Sequence, residues 1–206
     1  TTAAGTNNMT EWGVAVLYAS TTNGAQNVTI QNNTISLNRT YQNTFGIYSN
    51  STHAVATPTT SASATTAAGT NSGLKVYSNN ISNVNHGIIV VGPTAAADAN
   101  TGVEIGGASL GNTITNYGTT GTFSAYPNLA GTPGVNGILI RNSNGFTVSN
   151  NTITSSVGGV TAGTLYAIHV PAASATPTGT FTNNINSNSI SLRSGLIAGA
   201  MTGINY

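Results

Sequence analysis

The chain has 206 residues, no cysteine, and only four basic and three acidic side chains, which give a formal net charge of +1. This length allows one sizeable core, and the missing cysteine excludes a disulfide framework, a thiolate metal site and thiol redox chemistry. So few basic residues cannot neutralise a run of phosphates, which argues against nucleic acid as a partner. No apolar run approaches membrane-spanning length, so we expect no membrane insertion.

The polar part of the composition comes mainly from Thr, Ser, Asn and Gly, while charged residues make up 3% of the chain. A typical soluble domain carries charge on about a quarter of its residues. Such a composition is more typical of secreted and cell-surface proteins than of cytosolic enzymes. We therefore expect an extracellular or cell-surface location.

Taken in chain order, the sequence repeats one unit of three short strands. Each unit opens with Gly or Ala followed by an apolar residue: Gly13-Val14, Gly46-Ile47, Gly87-Ile88, Gly137-Ile138, Ala167-Ile168 and, truncated, Gly203-Ile204. The predicted second strands are centred on Thr29, Lys75, Glu104, Thr147 and Ile185. The third strands are centred on Ile35, Ile81, Ile114, Ile153 and Ile190. Period-two alternation and Asn, Gly and Ser punctuation indicate strands separated by turns.

The spacing of the units is irregular because the extra residues collect mainly at one corner. Long Ala-, Thr-, Ser- and Pro-rich stretches lie between the first and second strands, at residues 18–27, 50–73, 92–102 and 171–180. In the fourth unit this connection shrinks to residues 141–145. Further insertions follow the third strand at 115–136 and 155–166. A solenoid tolerates loops on one face, because they disturb no pairing between its turns.

An asparagine stands two residues before each third-strand isoleucine. The five are Asn33, Asn79, Asn112, Asn151 and Asn188. We expect them to stack at the bend between the second and third strands, with their amides hydrogen-bonded from turn to turn. Asparagine also tolerates the left-handed backbone conformation that such a bend requires.

The repeat resembles that of the right-handed parallel β-helix in the pectate-lyase-like superfamily, which reads close to GIxI…xTIxxNTI. The resemblance covers Gly13 to Ile204 and implies an all-β, single-stranded right-handed parallel β-helix of about five turns, with three strands in each turn. It implies one domain, residues 1–206. The superfamily holds lyases, hydrolases, tailspikes, adhesins and passive stalks, so the fold does not fix the function.

Enzymes of this superfamily resemble one another in using clustered aspartates, with calcium or as paired acids. This sequence has no aspartate cluster: Asp98 lies in a loop, and Glu11 lies in an end turn. Glu104 holds the same strand position as Lys75 one turn earlier. Because stacked strands lie about 4.8 Å apart, the two should form an exposed ion pair. We therefore predict no catalytic residue, no metal and no cofactor.

The three histidines show no metal-ligand spacing. Asn85-His86-Gly87 is faintly similar to the Gly-His-Gly of polygalacturonases, but the acidic partners are missing. We interpret His86 as a turn residue, His53 as a loop residue and His169 as an outward residue of a first strand. Asn-x-Ser/Thr triplets are frequent, but their number follows from the composition, so glycosylation stays open.

Neither end of the predicted coil shows a cap, and the sequence stops within the first strand of a sixth turn. We expect the chain to be excised from a longer solenoid or to meet identical protomers end to end. The predicted axial interface consists of Trp12, Val14, Val16, Val28, Ile30, Ile35, Ile190, Leu192, Ile204 and Tyr206.

The leading hypothesis is thus a non-enzymatic extracellular structural or adhesive solenoid that stacks head to tail into a filament. The alternatives are a secreted carbohydrate-active or carbohydrate-binding β-helix with a surface polysaccharide as its partner, and a stalk fragment of a larger surface protein. Several acidic residues aligned on adjacent turns would have favoured the enzyme.

Overall fold

The protein is an all-β chain in which the strands pair in parallel. The structure is a computed structural model that describes residues 10–39, 43–50, 64–94, 99–118, 134–155, 164–173, 179–193 and 200–206. Within these ranges there is one short 3₁₀ helix, Ala67–Gly69, and no α-helix. All the sheet pairings are parallel, and one isolated antiparallel bridge joins Ser20 to Asn23.

Three sheets contain most of the strands, which are numbered along the chain. Sheet 1 consists of β1 (Thr10–Leu17), β4 (Asn43–Asn50), β7 (His86–Val91), β11 (Gly134–Arg141), β15 (Thr164–His169) and β18 (Met201–Asn205). Sheet 2 consists of β2 (Thr29–Gln31), β5 (Lys75–Tyr77), β9 (Glu104–Ile105), β13 (Thr147–Ser149) and β16 (Asn184–Asn186). Sheet 3 consists of β3 (Thr34–Ser36), β6 (Asn80–Ser82), β10 (Thr113–Tyr117), β14 (Thr152–Ser155) and β17 (Ser189–Ser191).

The chain visits these sheets in the fixed order 1, 2, 3 and then returns to sheet 1. We call each stretch that contributes one strand to every sheet a passage. The described residues form five passages, and β18 opens a sixth. Within every sheet the strands lie in passage order, so each strand pairs with its counterparts in the neighbouring passages. Parallel strands require such crossover connections, here made through the other two sheets.

The predicted alignment of the repeat is confirmed by the pairing register. In sheet 1, Val14, Ile47, Ile88, Ile138, Ile168 and Ile204 follow one another in register. In sheet 3, Ile35, Ile81, Ile114, Ile153 and Ile190 do the same. Apart from the exposed Ile204, these columns form one apolar core cluster together with sheet 2 residues such as Val76 and Val148. The core therefore lies between the three sheets.

A glycine column explains why the first strands approach the third strands so closely. A Cβ added at Gly87 would lie 2.3 Å from the carbonyl oxygen of Gly137 and 2.9 Å from Cγ2 of Ile114. Similar contacts would arise at Gly13, Gly46 and Gly137. Distances this short exclude any side chain unless the backbone moves, so glycine at these positions is a packing requirement.

Two details of the strands go beyond the predicted repeat. The glycine pairs lie inside the strands of sheet 1, because β1, β4 and β11 each begin three residues before the glycine. The corner predicted to consist of loops also contains a small two-stranded sheet, formed by β8 (Asn100–Thr101) and β12 (Ser143–Asn144). These segments are polar and lack alternation, so their pairing depends on neighbours supplied by the fold.

Candidate functional site

The five predicted asparagines lie together in one column, hereafter the asparagine ladder. The Nδ2 group of each of the first four donates to the Oδ1 atom of the asparagine in the next passage, at 2.9, 3.0, 2.9 and 3.0 Å along the chain. The backbone N–H of each also donates to that same Oδ1 atom, at 3.0–3.1 Å. Sheet 2 carbonyls accept further bonds from Asn79, Asn112, Asn151 and Asn188.

Burial varies along the ladder. Asn79, Asn112 and Asn151 are each 1% exposed, Asn188 is half-buried and Asn33 is exposed. A buried amide costs stability unless its donors and acceptor are all paired. The inner three amides meet that condition, so the ladder joins consecutive passages without a buried unsatisfied group.

The prediction that the ladder asparagine is itself left-handed is wrong, because the left-handed residue at this bend usually comes directly before it. This holds in four of the five passages, where Asn32, Ser78, Asn150 and Ser187 have φ values of 59°, 52°, 59° and 55°. In the third passage the left-handed residues are Gly106 and Ser109, and Gly111 before Asn112 is not left-handed. In all five passages the ladder asparagine itself supplies hydrogen bonds and does not make the left-handed turn.

A second amide column at the opposite corner was missed. Asn71 donates from Nδ2 to the carbonyl of Val16 and to Oγ of Ser49, and its N–H donates to Oδ1 of Asn100. Its own Oδ1 accepts from the N–H of Ala25. The sequence pattern that could have predicted this column is an Asn-x-Gly triplet. Gly73 and Gly102 follow Asn71 and Asn100 by two residues, and both glycines are left-handed.

The predicted ion pair between Lys75 and Glu104 is present. Their side chains are 45% and 43% exposed, and Nζ lies 3.8 Å from Oε1. The Tyr77 hydroxyl donates to the other carboxylate oxygen. Burial raises the pKa of Tyr77 to about 12. The hydrogen bond to Glu104 and the negative charge of its carboxylate are smaller causes of the same increase. Lys75, Glu104 and Tyr77 thus form one partly exposed group in which the two opposite charges are paired.

The predictions for two histidines need correction. His86 is a fully buried residue of β7 stacked on Phe45, with ring centroids 5.1 Å apart, and is not a turn residue. His169 does lie on the outward side of β15 but is only 3% exposed, because it stacks on Tyr166. Burial lowers the pKa of His86 to about 3 and that of His169 to about 4. Both rings are therefore neutral at pH 7.

The described part of the chain holds no group of three or more His, Asp or Glu side chains that could bind a metal. Glu11 lies on β1 and is half-buried. Asp98 and His53 fall outside the described residues. No described helix is long and apolar enough to cross a membrane.

The ten residues of the predicted axial interface lie in the first passage or at the opposite end, but they are unequally exposed. Val16, Ile30 and Ile35 are only 6–8% exposed, so their side chains offer almost no surface. Val14, Val28, Ile190 and Leu192 are half-buried. Trp12, Ile204 and Tyr206 are 36%, 49% and 75% exposed. The available apolar surface thus consists mainly of these three residues together with Leu17 and Met201, which are 37% and 49% exposed.

A cleft of about 400 Å³ opens beside the last two passages. Its polar lining includes the side chains of Asn142, Ser143, Asn144 and Asn183. Tyr206 also lines it, and Nδ2 of Asn183 donates to the Tyr206 hydroxyl at 3.0 Å. Its described lining also includes the apolar residues Ile140, Phe146 and Val170 and carries no charged side chain.

Comparison of the chain with known protein families, with curated protein sequences and with solved structures finds no match.

Proposed function

We propose that the three sheets are the faces of a single right-handed parallel β-helix of about five turns, similar to the pectate-lyase-like superfamily and spanning residues 1–206 as one domain. The fixed order of visits and the in-register columns support this architecture. Right-handedness is the general rule for crossovers between parallel strands.

We propose that the protein is a non-enzymatic structural or adhesive element of the cell exterior that associates head to tail with copies of itself. The observation that carries this proposal is the position of the sheet edges. The first-passage strands β1, β2 and β3 are edge strands of their sheets, and β18, β16 and β17 are the opposite edges. Each end therefore presents three strand edges side by side, a template for further pairing.

The surface chemistry at the ends supports self-association. Trp12 is exposed at one end, and Ile204 and Tyr206 are exposed at the other. A net charge of +1 gives little repulsion between copies. The two ends are unlike surfaces, so their contact is heterologous and grows into an open filament unless the rotation closes a ring.

The test is sedimentation velocity of the purified chain over a wide concentration range, with negative-stain images of the same samples. We expect species that grow with concentration and appear as rods of constant width. Val28→Lys should abolish growth, because it places a charge at the first-passage end, which enters the contact. Thr152→Lys, at an exposed position of the non-edge strand β14 in sheet 3, is the matched control and should assemble normally. A wild-type chain that stays monomeric throughout would refute the proposal and leave the stalk-fragment alternative.

The cleft favours a second candidate function, the binding of a neutral polysaccharide. Amide and hydroxyl groups together with an exposed aromatic ring are suited to sugar hydroxyls and sugar faces. Calorimetry with neutral oligosaccharides tests it, and Tyr206→Ala should remove any binding. Phe181→Ala is the control, because Phe181 is 41% exposed and does not line the cleft. Cleavage of a uronate polymer by the protein would instead support the enzyme alternative.

A further inference from the structure

The asparagine ladder has a direction. Each of the first four ladder amides donates to the Oδ1 atom of the asparagine in the following passage, and none of the five donates to the one before. The two ends of the ladder therefore differ chemically. Oδ1 of Asn33 is left as an acceptor, and the backbone N–H of Asn188 is left as a donor, with no partner among the described residues for either atom.

This direction selects one way of joining two copies. The edge of a parallel sheet can pair with another strand in either orientation, because it presents both N–H and C=O groups. In a head-to-head contact, however, the Asn33 acceptor of one copy would meet the same acceptor of the other. Only a head-to-tail contact lets Asn188 donate to Asn33 of the next copy, with the geometry repeated within the chain.

Strand β18 blocks that head-to-tail contact. Sheet 1 has six described strands, whereas sheets 2 and 3 have five each, so β18 extends one strand beyond β16 and β17. If Asn188 reaches Asn33 of the next copy, β2 and β3 of that copy lie directly on β16 and β17. Its β1 must then lie directly on β15, which is the place that β18 occupies.

The strands β1 and β18 are alternatives for that place. Ile204 pairs in register with Ile168, and Val14 holds the same position one passage before Ile47. Gly203 precedes Ile204 as Gly13 precedes Val14, so both strands carry the same Gly-apolar pair. Strand β1 has eight residues and β18 has five. The exposure of Met201, Ile204 and Tyr206 shows that β18 buries little apolar surface, which favours its exchange.

We propose that β18 is an autoinhibitory strand, which occupies the β15 edge and leaves it when the β1 strand of a second copy takes its place. Release lets all three sheets and the asparagine ladder run unbroken from one copy to the next. This inference rests on the proposed head-to-tail assembly and adds that β18 regulates when the assembly forms. The partner is a second copy of the chain, because the exchange requires the Gly-apolar register of β1 and an accepting Asn33 in the same rigid unit.

A reversible lock tests the role of β18, since the chain has no native cysteine. Tyr166 and Thr202 pair in register on the outward side of β15 and β18, a separation that suits a disulfide. The double variant Tyr166→Cys/Thr202→Cys should stay monomeric when oxidised and assemble when a reductant is added. Tyr166→Cys alone is the control and should assemble under both conditions. Equal assembly of the oxidised and reduced double variant would overturn the autoinhibitory role.

A second experiment tests the strand register at the contact between two copies. Thr34 and Ser189 are exposed, and each follows a terminal ladder asparagine directly. After strand exchange they should be neighbours in adjacent copies, about 4.8 Å apart. An oxidised mixture of Thr34→Cys and Ser189→Cys proteins should give a disulfide-linked heterodimer, and neither variant alone should do so. Replacing Thr34→Cys by Ser36→Cys, two residues out of register, should lower the yield.

The outcomes separate the two proposals. If the joint forms with β18 in place, Thr34 and Ser189 lie two strand spacings apart, about 9.6 Å, and no heterodimer forms. Assembly without this cross-link would therefore refute strand exchange and keep the filament. A wild-type chain that never associates would refute the filament itself.

Discussion

The strands of sheet 1 and those of the other two sheets differ in how many of their faces are buried. Every residue of β4 and β7 is buried, on both sides of the sheet. Strands β2 and β3 instead bury only their central isoleucine and expose the residues on either side. The outward residues of sheet 1 form a second apolar cluster, which consists of Phe45, Tyr48, Ile89, Val91 and Leu139. The inner strands β4 and β7 of sheet 1 are therefore buried on both faces, whereas sheets 2 and 3 each turn one face to solvent.

The sequences of the strands show the same difference. His86–Val91 reads as an almost continuous apolar run, as expected for a parallel strand buried on both faces. Thr34–Ser36 alternates polar and apolar residues, as expected for a strand with one solvent-exposed face. Next to this run, the backbone N–H of Asn85 donates to Oγ1 of Thr44 in β4, at 2.8 Å. The following predictions test this contrast, from the largest expected effect to the smallest.

Ile138 occupies the inner column of sheet 1 and is fully buried. Ile138→Ala should lower the free energy of unfolding by about 2–5 kcal/mol, because it leaves a cavity between three sheets. Urea denaturation measures this loss. Ile138→Val is the control and should cost about 0.5–1.5 kcal/mol. A loss for the alanine variant below about 0.5 kcal/mol, which is typical of surface positions, would show that Ile138 is not interior.

Leu139 is the next residue and points to the outward side of sheet 1, yet it is also fully buried. Leu139→Ala should cost about 2 kcal/mol or more. Thr152→Ala, at an outward position of sheet 3 that is exposed, should change stability by less than about 0.5 kcal/mol. Equal effects in chemical denaturation would remove the distinction between the sheets.

Acid should weaken the outward side of sheet 1. The pKa of the buried His86 is lowered to about 3, so the unfolded chain binds a proton on this residue at higher pH than the folded chain does. The stability it contributes is complete above pH about 6.5 and is lost as the pH falls towards 3. Between pH 7 and 4.5 we expect a loss of about 1–3 kcal/mol.

The measurement is the urea midpoint as a function of pH. The chain has only three carboxylate side chains, so histidines should dominate the slope. His86→Gln should flatten the curve whatever its stability at pH 7. An unchanged slope in this variant would contradict the assignment.

Asn112 stands in the middle of the asparagine ladder, with a partner on each side. Asn112→Ala should cost about 1–3 kcal/mol, because it leaves buried donors and acceptors unpaired. Asn33→Ala, at the exposed end, should cost less, because water can replace the lost partner. Thermal unfolding of the two variants gives the comparison, and equal losses would show that the ladder does not act as a stack.

Lys75 and Glu104 lie on the solvent-exposed face of sheet 2 and should contribute least to the free energy of unfolding. Lys75→Ala should change the free energy of unfolding by about 0–1 kcal/mol, since solvent screens exposed ion pairs. Glu104→Gln is the matched variant, and adding salt to the wild type should have a similarly small effect. A loss above about 2 kcal/mol in either variant would show a role beyond charge neutralisation.

Most of the strand alignment could be predicted from the sequence, because like aliphatic residues recur at fixed distances from Gly and Asn. Thus Ile88 and Ile138 pair as their Gly-Ile pairs predict. The asparagine ladder follows from the same alignment. The small sheet of β8 and β12 could not be predicted, because short polar segments pair only where the fold places them side by side.

The sequence by itself determined the three-strand repeat, the register of the two isoleucine columns and the position of the ladder, since all of these depend on local alternation and spacing. Only the tertiary structure decided that His86 and Leu139 are buried, because burial on the outward side of sheet 1 depends on what packs against it. It also decided which residue is left-handed at each bend, and that the ladder has one direction. These properties arise from contacts between passages, and residues in contact there lie about 30 to 50 positions apart in the chain.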